Sequence, residues 1–153
     1  MKIIIIFGVL RIEHTKFVRA PKRKIYEWWT DFQETDPSLS GKIIRNRRIV
    51  SRSSNEVIYE DEGNMLRVPY KDRVRVLLYP YEKWVAEYRS SKFDAKSVYT
   101  LKDVDEGTEM HVVTEISFKG WLRPFGGIAK WGIKRAIEKE WNDYIKLVEE
   151  ALL

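Results

Sequence analysis

Residues 42–119 carry no long helical pattern. They form alternating apolar and polar segments separated by turn signals, and after Gly120 the period switches to that of a helix. The alternating segments are KIIRNRRIVSR, EVIYED, a stretch ending DRVRVLLY, KWVAEYRSS, AKSVYTLKDV and TEMHVVTEISF, with breaks at 53–55, 62–64, 79–82, 92–94 and 105–107. Short strands joined by tight turns predict an antiparallel meander. In the last strand Met110, Val112, Thr114, Ile116 and Phe118 share one face, and Glu109, His111, Val113, Glu115 and Ser117 the other. The helical run, 124–152, would reach roughly 40 Å at 1.5 Å per residue. Ile133, Ile137, Trp141, Tyr144, Val148 and Leu152 make its apolar stripe, opposite the i,i+4 pairs Lys134 with Glu138, Lys139 with Asp143 and Lys146 with Glu150. The only partner long enough for that stripe is the dry face of the sheet.

The start of the chain adds a strand and a helix. Residues 9–18, VLRIEHTKFV, keep a two-residue rhythm that Pro21 ends. Pro21 suits a first helical position, and Ile25, Trp28, Trp29 and Phe32 then recur at helical spacing, as core anchors. Arg19, Lys22, Arg23 and Lys24 oppose the helix dipole at a few tenths of a kcal/mol each and read as a solvated edge. The opening MKIIIIFGVL is about half the roughly 20 apolar residues of a membrane span and lacks a signal-peptide cleavage pattern. Residues 1–8 read as an N-terminal extension of the first strand or an added arm. QETDPSLSG, 33–41, reads as a loop.

At 153 residues the expectation is a single domain, 1–153, burying roughly 70% of its unfolded surface. Cysteine is absent, which removes disulfides, thiolate metal sites and cysteine nucleophiles, and suits a cytoplasmic location. The net charge of +5 comes from 28 basic and 23 acidic residues that are interleaved along the chain, a weak basic bias. The high charged fraction and the single glutamine, Gln33, also suit a hot environment.

The order strand, helix, loop, about six strands, long helix resembles the START-like superfamily, the helix-grip fold of polyketide cyclase/dehydrases, coenzyme Q-binding proteins and the birch-pollen allergen. FVRAPKRKIYEWWTDF looks like the family's first-strand end, its Ala-Pro and first helix. LLYPYEKWVAEY resembles the mid-domain strand, proline turn and strand, and DVDEGTEMHVVTEISFKG the Gly-Thr hairpin into the last strand. The resemblance covers about residues 9–152. It implies an α+β fold, a curved antiparallel sheet of about seven strands wrapped around a long C-terminal helix, with a short helix after the first strand. It also implies a small hydrophobic ligand, a lipid, isoprenoid quinone or polyketide, in a cavity between sheet and helix. The glycine-rich loop of the plant allergen branch is missing, which argues against plant-hormone-like ligands.

The residues themselves offer little catalytic chemistry. His14 shares parity with Ile12 and Val18 and is expected to face inward as an ordinary strand histidine; His111 shares a face with Glu109 and Glu115 and reads as solvent-side. No His-x3-His pair or calcium-loop spacing is present, so no metal is expected. No Gly-x-Ser-x-Gly elbow aims a serine, and Phe125-Gly126-Gly127 lacks the Lys-Ser/Thr of a phosphate loop, so no cofactor is expected. Tyr59, Tyr70, Trp84, Tyr88, Tyr99, Thr114 and Phe118 either fill the core or line a pocket. Asp72 shares parity with Val74, Val76 and Leu78 and as an inward carboxylate would be informative, but the expectation is that it lies just outside the buried span, with Arg67 and Arg73 beside it in sequence. Trp121, Phe125 and Trp131, around the glycines of GWLRPFGGIAKWG, form either an aromatic lip at a cavity mouth or a helix entry packed on the sheet.

Three functions are open on these grounds. Binding or transport of a small hydrophobic ligand comes first, with Tyr59, Tyr70, Trp84, Tyr88, Tyr99, Thr114, Phe118, Trp121, Phe125 and Trp131 as ligand-binding candidates and His14 and Asp72 as polar cavity groups. A cyclase/dehydrase-type enzyme moving protons through a Tyr, His14 or Asp72 is the second. A basic interaction module using 45–52 and the edge at 19–24 is the third. Its partner would be a protein, an anionic membrane touched transiently, or nucleic acid, the last disfavoured because Arg45, Arg47 and Arg48 fall on both strand faces.

Overall fold

The computed structural model describes residues 1–36, 44–65 and 68–152. Eight strands form one antiparallel sheet: β1 (Lys2–Ile6), β2 (Val9–Val18), β3 (Ile44–Arg52), β4 (Glu56–Met65), β5 (Val68–Tyr79), β6 (Lys83–Ser90), β7 (Phe93–Val104) and β8 (Gly107–Phe118). Helix α1 (Lys22–Trp29) follows β2, and a 3-10 turn (Gly120–Phe125) leads into α2 (Gly126–Leu152). The strand order is β1-β2-β8-β7-β6-β5-β4-β3. Each alternating segment of the sequence thus pairs with its neighbour, and β2 is carried across to β8. Among the described residues no helix is long and apolar enough to cross a membrane.

Residues 2–6 do not lengthen the first strand but double back on it, Lys2 opposite Glu13 and Ile6 opposite Val9. The hairpin rests on Phe7 (φ 49°) and Gly8 (φ 79°), both left-handed, as the right-handed twist of a two-residue turn requires. The turn expected at 62–64 is strand instead: Gly63 pairs with Tyr70, Asn64 with Pro69 and Met65 with Val68. Glu, Gly and Asn imitate a turn in composition, but the ladder continues through them. Pro69 is tolerated because the register with β6 begins only at Asp72 opposite Ser90, leaving that flank of the strand without a partner. Part of the expected loop, 37–41, and Arg67 lie outside the described residues.

Helix α1 begins one residue later than its sequence predicts. Pro21 is extended (ψ 139°) and acts as the N-cap, its carbonyl accepting from Ile25 N at 3.1 Å. The helix ends when Thr30 turns both its N–H and its hydroxyl onto the Tyr26 carbonyl, at 3.0 and 2.7 Å. Phe32 therefore lies beyond the helix, in a left-handed conformation (φ 39°), yet still packs on the core. The basic edge has partners: Arg23 makes the i,i+4 pair with Glu27 at 2.9 Å, and contacts that sequence spacing does not show put Lys22 2.8 Å from Asp103 and Arg23 over the Tyr81 ring.

Two apolar clusters join helices to sheet. The larger sets Ile25 and Tyr26 of α1 and Val148 of α2 on Val57, Val74, Val76, Trp84 and Val112; the smaller gathers Leu10, Ile12, Phe93 and Ile116, with Ile137 of α2 against it. The Gly-Thr hairpin has a specific task here. A Cβ on Gly107 would press into the Val18 carbonyl oxygen and lie 3.0 Å from the Phe17 ring, while the buried Thr108 hydroxyl donates to the Ala20 carbonyl at 2.8 Å. Together they pin the end of β2 where α1 departs.

Candidate functional site

Alternation along β6 sends Trp84, Ala86 and Tyr88 to the inner face, beside Tyr59 of β4 and Tyr99 of β7. Ala86 is the small member between two large rings, and the space it leaves belongs to a cavity of about 430 Å³. Helix α1 and the turn after it contribute Trp28, Trp29 and Phe32, and α2 contributes Glu140, Trp141 and Tyr144. Its size lies within the range of small-molecule sites.

The walls are aromatic and held by one another. Trp84 stacks on Tyr99 (4.8 Å, 9°) and Trp29 on Trp141 (5.4 Å, 20°), while Tyr99 and Trp141 meet at 6.1 Å and Phe32 and Tyr59 at 5.4 Å. Such pairs fix ring orientation as well as burying area. Burial raises the hydroxyl pKa values of Tyr59, Tyr88, Tyr99 and Tyr144, so these phenols stay neutral hydrogen-bonding groups.

One buried cation organises the polar side. Arg47 of β3 makes a two-pronged pair with Asp61 of β4 (2.8 and 2.8 Å) and reaches Asp36 at 2.8 Å, its guanidinium 4.1 Å from the centre of the Tyr59 ring. Burial works against its charge, but the Asp61 hydrogen bonds and the surrounding groups outweigh that and hold it protonated. Asp61 stands directly opposite Asp72 of β5. Asp72 is pushed up to about 7, first by burial and then by the Asp61 charge, and its Oδ1 has no hydrogen-bond partner among the described residues. Glu140, on the cavity wall, is also pushed up to about 7, by burial and then by Asp143.

The sequence candidates divide between the cavity and its surroundings. Tyr59, Trp84, Tyr88 and Tyr99 line it together. Tyr70 packs on Phe93 at 5.7 Å, Phe118 belongs to the smaller cluster, and the Thr114 hydroxyl is 2.8 Å from that of Ser97; none of the three lines this cavity. Trp121 is 64% exposed and does not line this cavity, and the side chains of Phe125 and Trp131 lie outside the described residues. Asp72 is buried, rather than just outside the buried span as the sequence predicts, because the ladder from β4 to β5 continues past it, and it does not line the cavity. His14 is buried with its ring edge-on to Trp141 at 4.7 Å. Neither ring nitrogen has a protein partner among the described residues, and burial lowers its pKa to about 4, with Lys16 adding to the effect. His111 lies on the outer face against Thr15 and Glu13.

The reading by strand parity does not single out Trp28, Trp29, Phe32, Arg47, Glu140, Trp141 or Tyr144 as a site. One signal for Glu140 is present in the sequence: it stands three residues after Ile137 and four before Tyr144, so a carboxylate interrupts the apolar stripe of α2. Arg47 is harder to see, because the charges of RNRR on both faces of β3 hide the one arginine that turns inward. Its neighbours point outward and are laced to acids, Arg48 to Glu60 at 2.6 Å, and across the ladder Lys71 to Glu62 at 2.8 Å and Arg75 to Glu56 at 2.5 Å.

No protein-family model matches this chain, and no curated protein matches it in sequence. Solved structures do resemble it. The Zhui aromatase/cyclase from Streptomyces sp. R1128 superposes with a TM-score of 0.74 at 12% identity over 94% of this chain and 93% of its own. A START superfamily protein from Mycobacterium smegmatis gives 0.67 at 15% identity over 93% and 96%, and a Thermus thermophilus protein 0.73 at 12% identity over 93% and 96%. At such identities the likeness is one of fold. An open antiparallel sheet, a short helix after its first long strand and a long C-terminal helix make this the START-like helix-grip fold.

Proposed function

We propose that this START-like helix-grip chain binds or carries a small hydrophobic molecule, of lipid, isoprenoid quinone or polyketide-like character, in the cavity between β4, β6, β7 and α2. The carrying observation is a cavity of about 430 Å³ walled by mutually braced aromatic rings. Neighbours of the same fold include aromatase/cyclases and a START superfamily protein, which supports a hydrophobic occupant. Native mass spectrometry of gently purified protein, followed by organic extraction, tests whether a co-purified molecule is present. Titration with the neutral dye N-phenyl-1-naphthylamine tests the cavity directly. Ala86→Leu, which fills the gap between Trp84 and Tyr88, is expected to weaken dye binding by roughly tenfold or more, at an overpacking cost of about 1–3 kcal/mol. Dye binding unchanged by this variant, or absent from the parent protein, sinks the reading.

A second reading is favoured by one observation: Glu140, near 7, shares the cavity with Tyr88, Tyr99 and Tyr144. A carboxylate poised near neutrality beside hydroxyl donors is what a cyclase/dehydrase-type step needs, the carboxylate taking a proton next to a carbonyl and a phenol holding the developing oxyanion. Incubation with a linear poly-β-ketone thioester, followed by mass spectrometry, is expected to show loss of water faster than the spontaneous reaction if this step occurs. Equal rates with and without protein reduce the function to binding.

A further inference from the structure

The charge around the cavity is opposite to that of the chain. The chain carries +5, yet among the described residues the wall holds three carboxylates, Asp31, Asp36 and Glu140, against the single guanidinium of Arg47. Arg47 is already occupied by Asp36 and Asp61, so it offers little to an anionic ligand. Asp31 is held by the Gln33 amide and Asp36 by Gln33 N and Arg47. Glu140 differs: it has neither a cation nor a hydrogen-bond donor among the described residues, and it sits beside Trp141 and one turn before Tyr144. Its part-buried carboxylate opens on the cavity, where a cation placed beside it gains a charge-assisted hydrogen bond in a low-dielectric setting. The aromatic walls act in the same direction, because ring quadrupoles attract positive charge. A metal ion does not fit, since among the described residues no group of three or more His, Asp or Glu is placed to hold one.

We propose that the cavity selects an organic cation: a protonated amine or quaternary ammonium centre at Glu140, carried on a flat apolar body that lies among Trp29, Trp84, Tyr99 and Trp141. The proposal rests on the reading of the cavity as a ligand site and narrows its occupant. Anionic amphiphiles are disfavoured by the same carboxylates, so fatty acids and aryl carboxylates belong to the rejected class.

Three probes of one shape test this by titration calorimetry at about pH 8: 2-naphthylmethylamine as the cation, 2-naphthalenemethanol as its neutral counterpart and 2-naphthoate as the anion. The cation is expected to bind roughly tenfold or more tighter than the alcohol, and the anion weakest. Glu140→Gln is expected to remove the preference for the amine over the alcohol, and alcohol binding that stays measurable shows that the cavity is intact. Alcohol or naphthoate binding as tightly as the amine overturns the proposal and leaves the hydrophobic-ligand reading standing. The same holds if the variant keeps the full preference. Binding of none of the three overturns both.

Discussion

Arg47→Met is expected to lower the melting temperature by about 10 °C at pH 7.5. Arg47 is the cation that Asp61 and Asp36 share, and its side chain and that of Asp61 are 8% and 4% exposed. Methionine fills a similar volume, so the loss is mainly electrostatic: Asp61 is left buried without its two-pronged partner, opposite a second carboxylate, Asp72. Removing one member of a buried pair costs about 3–5 kcal/mol, and for a chain of this length each kcal/mol is worth roughly 2–4 °C. Thermal melts of both proteins at pH 7.5 check this. A difference under about 2 °C contradicts the account of Arg47 as the neutralising centre of the site.

Asp72→Asn is expected to do the reverse and stabilise the protein in alkaline solution. The Asp72 carboxyl is raised from its ordinary 3.8 to about 7 by burial and by Asp61, so the fold favours the protonated form. A raised folded-state value means that the group's contribution is whole below about pH 4 and is lost as pH rises towards and through 7. At 1.36 kcal/mol per pH unit the loss is on the order of 4 kcal/mol at most. Asparagine keeps the shape, carries no charge and can donate to the facing Asp61. The expected gain at about pH 8 is roughly 5–10 °C, with none at about pH 4. Equal effects at both pH values would show that packing, not ionisation, governs this position. Because both substitutions act on one set of charges, their effects are not expected to add.

The architecture is legible in the sequence because two periods, two and 3.6, divide the chain almost without overlap, and each strand's dry face can be read from its own residues. Parity alone places Asp72 and His14 inward, and both are buried. Where parity and turn composition disagree, as at Glu62, Gly63 and Asn64, composition misleads, because hydrogen bonds to β5 decide the matter and are not local. The cavity is less legible for a similar reason. Its volume follows from Ala86 being small between two large rings and from where α1 and α2 lie, neither of which has a local signal. Thr114 and Phe118 face the same side of β8 as buried residues, but the cavity lies over β4, β6 and β7, out of their reach. Glu140 shows in the sequence only as a break in the apolar stripe of α2, which in a helix rich in charged residues looks ordinary until the opposite wall is known.

The grouping of indoles has an optical consequence. Of six tryptophans, Trp28, Trp29, Trp84 and Trp141 stand on the cavity wall, and the stacked pair Trp29 and Trp141 is close enough for their excited states to couple. Ultraviolet light absorbed by this chain is therefore collected largely where a guest would sit. Any occupant that separates, quenches or accepts energy from those rings changes the emission and the near-ultraviolet circular dichroism, so the protein needs no attached dye to report that its cavity has been filled.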